Sequence, residues 1–530
     1  MNVKNAVQSP VNAALKGFKA AFLCALIIAA FNACPGSLDD KEPPYRITKR
    51  SYAESVQRVV FTEDTATVSF TNLNHHSIYL VRVNKSADII AAANTGAVRA
   101  SSGGLENNIL LNAFEEDLPL PGYPRATAFN ANPPPIDRAA SHTRAARNFF
   151  PPAVGDTRMF WVESHYNSSG WVEKPAALMA TGEHGNIWVM DSRLTEAQAQ
   201  ALAEKFDIIY PAATNILGYE YGGGPDGDGG KDGDPKIQIL VYDMLDADGK
   251  EAMVAGYFWG KDFYEQSVLD HWPTRPRTNL AEIFYINAGV VIRNRDWIFS
   301  TLGHELQHMV NFNMKRVKHD VNSAAWYNEL LSAMTQDLID EAFLGIPLDN
   351  PNNTIKARMP RYRMNYNQIG VTEWDGSSNA YATAVAFGAY LLRNYGGADL
   401  LKNILANDKT NIESISLALD EISPGMDFES ALLRFGEAMI FSGSLIPDGA
   451  NTFDRTITTA INGFTYTVYG FDLWNIFGQP LLAPVNDPND MHPHSVTIHD
   501  SSAWRNIRGD FSITLEKPND PNVELYLMVR

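Results

Sequence analysis

Ser300-Thr-Leu-Gly-His304-Glu305-Leu-Gln-His308-Met-Val-Asn-Phe312 is the stretch on which the reading of this chain turns. At roughly 100° per residue in an α-helix, His308 lies only about 40° around the axis from His304, so both imidazoles reach one point in space. Glu305 sits at the edge of that face, placed to touch a water held there without being a ligand itself. Leu302, Leu306, Met309, Val310 and Phe312 make the helix largely apolar and therefore buried. Two buried histidines and a glutamate need partners, and a zinc ion supplies them. Asp296 reads as the N-cap of this helix, which follows an apolar strand at residues 283–286.

A third protein ligand separates the families that share this pentapeptide. A metzincin would carry glycine at position 311 and histidine at 314, whereas the chain has Asn311 and Met314. Asp320 follows Lys315, Arg316, Lys318 and His319 in what reads as an exposed basic turn, which disfavours it as a ligand. Glu329 opens a second apolar helix, Trp326-Tyr-Asn-Glu329-Leu-Leu-Ser-Ala-Met334, after enough chain for an antiparallel return. Asn-Glu followed by small residues is the gluzincin arrangement, in which the glutamate binds the metal and the small residues let the two helices approach.

These two stretches together resemble the hyicolysin family of secreted bacterial zinc peptidases, and Val254–Tyr264 and Glu282–Ile286 share that likeness, which covers about residues 155–440. The resemblance implies zinc ligands at His304, His308 and Glu329 and a catalytic acid/base at Glu305. The chain departs from the wider gluzincin pattern at Ala333, where thermolysin-like enzymes place an aspartate behind a zinc histidine. Asp337 is a candidate to support His304 instead. Tyr381 opens a helix rich in small residues downstream of Glu329, where several gluzincin families place a tyrosine that donates to the oxyanion; the plain alternative is a core tyrosine. Tyr362, Tyr366 and His319 are weaker candidates.

Outward from the motif, the chain divides by texture. Residues 1–33 read as a signal peptide, with Lys4, Lys16 and Lys19 ahead of the apolar run Ala20–Phe31. Phe31-Asn-Ala-Cys34 resembles a relaxed lipobox, which makes Cys34 the candidate lipidation site and residues 34–50 a tether; plain secretion is the alternative. Residues 51–117 alternate in short β-type runs and form an expected N-terminal β module, which becomes a propeptide if the next segment is cut. That segment, 118–154, reads as an extended proline-rich linker carrying Arg125, Arg138, Arg144 and Arg147. Residues 155–445 form the expected zinc metallopeptidase domain, with strands near Met159, Asn186 and Lys236 and a helix from Thr195, and residues 446–530 a C-terminal β module. The expected fold is α+β: a zincin-like, thermolysin-like catalytic domain with a mixed sheet and a helical HExxH subdomain, flanked by β-sandwich-like modules at both ends.

Composition narrows the chemistry. With 43 Lys and Arg against 61 Asp and Glu, the net charge of −18 argues against binding nucleic acid. The two cysteines, Cys24 and Cys34, both lie within the first 34 residues, so a metal in the folded part must use His, Asp or Glu. Asp226, Asp228, Asp232 and Asp234, on glycine-rich turns, are candidate calcium ligands, although position 12 of an EF-hand loop would be isoleucine; a solvated acidic turn is the alternative. His492, His494 and His499 read as surface histidines. The expected function is a zinc metalloendopeptidase acting on protein or peptide substrates from the cell envelope, lipid-anchored at the outer surface or in the periplasm, or else secreted. A non-catalytic surface adhesin on a protease-like scaffold is the competing reading, and the presence of Glu305 favours the enzyme.

Overall fold

A mixed seven-stranded sheet lies behind the motif in the computed structural model, which describes residues 47–98, 120–136, 150–485 and 489–530. In spatial order its strands are Leu120–Pro121, Val254–Phe258, Ile283–Asn287, Ile237–Tyr242, Gly185–Met190, Trp171–Thr181 and Thr157–Glu163. Ile237–Tyr242 runs parallel to both of its neighbours, while Val254–Phe258 is antiparallel to Ile283–Asn287. Val254–Phe258 and Ile283–Asn287 are buried throughout, as strands covered on both faces must be. The helix Glu196–Leu217 makes the crossover between Gly185–Met190 and Ile237–Tyr242. Thr195 caps it: its hydroxyl accepts from the Gln198 amide at 3.3 Å, and the Gln198 side chain accepts from the Thr195 amide at 2.9 Å.

The motif helix, Arg295–Asn311, leaves the Ile283–Asn287 strand through the short helix Ala288–Arg293. Asn294 occupies the cap position and Asp296 the first turn, so Asp296 acts on the positive end of the helix dipole and not as the cap expected from its sequence. The chain from Trp297 to Asn311 is buried on every side. It packs tightly against the helix Ala325–Ile339 at Gly303, where a Cβ would lie 2.2 Å from Ile339 Cδ1. Any larger residue there would force the Ile339 side chain to move.

The β strands near the two ends of the chain do not form a module each. Val56–Arg58, Val523–Val529, Ile78–Asn84, Ser495–Asp500 and Ala483–Pro484 lie side by side in one five-stranded sheet, and Thr65–His76 pairs with Ile507–Glu516. Side-chain alternation along Ile78–Asn84 explains the arrangement. Ile78 and Leu80 face a sandwich core with Phe70, Leu515, Leu525 and Leu527. Tyr79, Val81 and Val83 face the helical body and join the main core. Neither end could bury both faces alone. Ile457–Ile461 and Phe464–Val468 form a separate hairpin attached to the catalytic body, where the Tyr466 hydroxyl donates to Ala212 O at 2.7 Å.

Part of the segment expected to be an extended linker is folded. Pro124–Ala131 is a helix with Pro124 at its first position, where the missing N–H costs nothing. Cys34, the signal segment and residues 99–119 and 137–149 lie outside the described residues. No helix among the described residues is long and apolar enough to cross a membrane.

Candidate metal centre

His304 and His308 project from Arg295–Asn311 and Glu329 from Ala325–Ile339, and all three are buried. The two Nε2 atoms are 3.0 Å apart, His304 Nε2 lies 3.1 Å from Glu329 Oε2, and His308 Nε2 lies 3.6 Å from Glu329 Oε1. A tetrahedral ion with bonds of about 2.0–2.1 Å holds its donors about 3.3 Å apart, so the spacing and the N/N/O donor set both fit zinc. Among the described residues, this is the one group of three His, Cys, Asp or Glu whose ligand atoms converge.

The charges respond to one another. Burial alone would raise the Glu329 carboxyl and lower the His308 imidazole, yet facing each other they hold Glu329 low and His308 high. His304 is pushed down by burial and by the neighbouring His308. A proton on His308 thus stands where a cation would otherwise balance the carboxylate.

The outer nitrogens are anchored. His304 Nδ1 lies 2.9 Å from Gln336 Oε1, and the Gln336 amide NH2 donates to Ser300 Oγ at 2.9 Å. The amide oxygen can only accept, so Nδ1 carries hydrogen and Nε2 presents its lone pair to the cluster. His308 Nδ1 lies 3.1 Å from Ser332 Oγ, whose own proton reaches Gln307 Oε1 at 2.5 Å. Asp337, expected behind His304, instead pairs with Arg393 at 2.5 and 3.1 Å. The signal that would have found Gln336 is its spacing: it follows Glu329 by two helical turns and so shares its face.

Glu305 is fully buried, and neither carboxylate oxygen has a hydrogen-bond partner among the described residues. Burial pushes its pKa up to about 8, the range of a group that exchanges protons near neutrality. It faces a cavity of about 10 Å³ shared with His308 and Glu329, which is room for about one water. Tyr381 borders the same spot. A Cβ built on Gly122 would lie 2.0 Å from Tyr381 Oη and 3.7 Å from Glu329 Oε1. Burial and the Glu329 and Glu305 carboxylates raise the Tyr381 pKa well above its ordinary value, so the hydroxyl remains a donor.

Other candidates fall elsewhere. The Tyr362 hydroxyl donates to Met439 Sδ at 3.3 Å, and Tyr366 Oη bonds the backbone of Ile498. Asp320 is exposed and paired with Arg316 at 2.5 Å. Lys315, read as part of the same exposed turn, is instead buried and donates to Ile404 O and Asn407 O at the end of the helix Ala398–Ala406. The four aspartates at 226–234 do not converge on a common point: Asp232 pairs with Arg158 at 2.9 Å, and Asp234 accepts from the Asn186 and Gln238 side chains at 2.8 and 3.1 Å. The expectation of surface histidines fails for two of three, since His494 and His499 are buried and His499 Nε2 lies 2.7 Å from an Arg82 nitrogen.

A helix pair presenting two histidines and a glutamate around an unpaired buried carboxylate defines a metallohydrolase-type centre. Residues 173–467 match the Peptidase M30 family model, and the chain belongs to that family. It is also 27% identical over 365 residues to the neutral metalloprotease ShpI of Staphylococcus hyicus, a match that covers 65% of this chain and 77% of that protein.

Proposed function

We propose that this protein is a zinc metalloendopeptidase that hydrolyses protein or peptide substrates, with His304, His308 and Glu329 holding the metal. The observation that carries the reading is the bare carboxylate of Glu305 beside that convergent triad. A zinc ion, when bound, supplies the positive charge that acidifies a water and polarises a carbonyl. Glu305 orients the attacking water and takes its proton, a role suited to a carboxylate whose burial raises its pKa towards neutrality. The same group then delivers that proton to the leaving amine. Tyr381 donates its hydroxyl to the oxyanion that develops on the carbonyl. Gln336 and Ser332 keep both imidazoles turned so that Nε2 faces the metal.

The basic and apolar leader with Cys34 supports export followed by lipid anchoring at the cell envelope, and secretion is the outcome if Cys34 is not modified. Mass spectrometry of the mature N-terminus distinguishes the two. The catalytic reading is tested with Glu305→Gln. The variant keeps its zinc, measured by elemental analysis, and loses roughly three orders of magnitude or more in turnover of a peptide library. Near wild-type turnover in that variant would falsify the assignment.

A further inference from the structure

The floor of the candidate active site is roofed by the chain itself. Leu120–Pro121 is the edge strand of the seven-stranded sheet, parallel to Val254–Phe258, and the chain then passes Gly122 over Tyr381 and Glu329. From there the helix Pro124–Ala131 crosses the centre. Asn130 imitates a further strand residue: its side-chain amide donates to Phe258 O at 3.0 Å and its oxygen accepts from Gly260 N at 2.8 Å. Pro134 O accepts from Tyr264 Oη at 2.7 Å and from Arg316 at 2.9 Å, which fixes the far end. With this strap in place the cavity at Glu305 leaves no room for a peptide.

A second cavity, of about 130 Å³, adjoins the first. Tyr123 lines both and is the partition between them, so removal of the strap would join the two into one groove. Glu163, Asp191, Asp243 and Lys174 all line the second cavity; Asp243 is paired with Arg193 at 2.6 Å and Asp191 with Lys174 at 3.8 Å, whereas Glu163, buried at the end of Thr157–Glu163, lies 2.6 Å from Arg125 of the strap. Lys261, whose charge also acts on Glu163, is itself held by Asp262 at 2.7 Å. A buried carboxyl that loses Arg125 either keeps a proton, as burial raising its pKa to about 8 allows, or takes another cation of similar reach. We propose that residues 120–136 lie in the substrate groove as a built-in occupant, and that Glu163 selects a basic side chain of the substrate there, its place now taken by Arg125. This rests on the peptidase reading given above and names a substrate feature for it.

The test separates binding from turnover. In a zinc-loaded Glu305→Gln background, calorimetry measures binding of two peptides that differ at one position, arginine or its neutral isostere citrulline, scanned along the sequence. With the strap intact, both bind weakly. Adding Arg125→Ala together with Asn130→Ala, which also cuts the strap's hold on Phe258 and Gly260, tightens the arginine peptide at least tenfold and opens a preference of at least tenfold over citrulline at one position. Adding Glu163→Gln as well brings that preference close to one. Arg125→Gln, which keeps most of the side-chain stem, repeats the release if Arg125→Ala folds poorly, and melting curves verify each variant. Folded release variants that bind no better than the strap-intact protein overturn the occupant. An arginine preference that survives Glu163→Gln overturns the pocket. Turnover is measured separately in the Arg125 variants with Glu305 intact, and complete inactivity there, with zinc bound, counts against the peptidase reading and leaves the binding result standing.

Discussion

Among the described residues, Gln336 accepts the one hydrogen bond that the outer nitrogen of His304 makes, so its loss frees that ring to turn and to carry its hydrogen on either nitrogen. Gln336→Ala is expected to weaken zinc binding about 10- to 100-fold while the fold is retained, read by competition with a chromogenic chelator. Ser332→Ala acts the same way on His308, whereas Asp337→Asn, whose partner is Arg393, leaves zinc affinity unchanged. The raised His308 sets the pH dependence. Its folded pKa of about 9 lies above the unfolded value, so without metal its stabilising contribution is complete below about pH 6.5 and is lost as pH rises through 9. Zinc must displace that proton. Zinc affinity therefore falls about tenfold for each pH unit below 9, with about one proton released per ion. Calorimetry in buffers of different ionisation enthalpy measures the release, and zinc uptake at pH 7 without it would count against the protonated His308.

Between helices, the decisive distance is the one at Gly303. A methyl group there would press on Ile339 Cδ1, and Gly303→Ala is expected to destabilise the protein by about 1–3 kcal/mol, or to push Ala325–Ile339 outward and carry Glu329 away from the histidines. Thermal melts with and without zinc separate the outcomes, because outward movement also removes the added stability that zinc gives. The helix pair was legible in the sequence because its signals are local: an apolar face with 3.6-residue periodicity and histidines four apart. The strap was not. Prolines at 133–135 and the arginines around them read as an extended linker, while the features that fold Pro124–Ala131 are partners far along the chain, Trp259, Tyr264 and Trp272 around Phe129. Tertiary packing overrode a compositional signal.

At the scale of the molecule, the strands from the two ends depend on each other. Cutting the chain at a protease site inserted between Asp137 and Arg147 is expected to leave residues 47–136 attached, because Ile78–Asn84 is flanked on both sides by strands from beyond residue 494. Gel filtration under native conditions shows one species, and denaturing gels show two. Early release of the N-terminal piece would contradict the pairing. Sequence placed β structure at both ends and missed their union, since alternation reports which face of a strand is buried but not which strand lies beside it. That union also has a consequence in time. As the chain leaves the ribosome, Thr65–His76 and Ile78–Asn84 appear well before their neighbours, which follow roughly 400 residues later in the sequence. While that intervening stretch is made, these early strands wait with open edges, so the nascent protein needs protection against edge-to-edge association until their partner strands arrive.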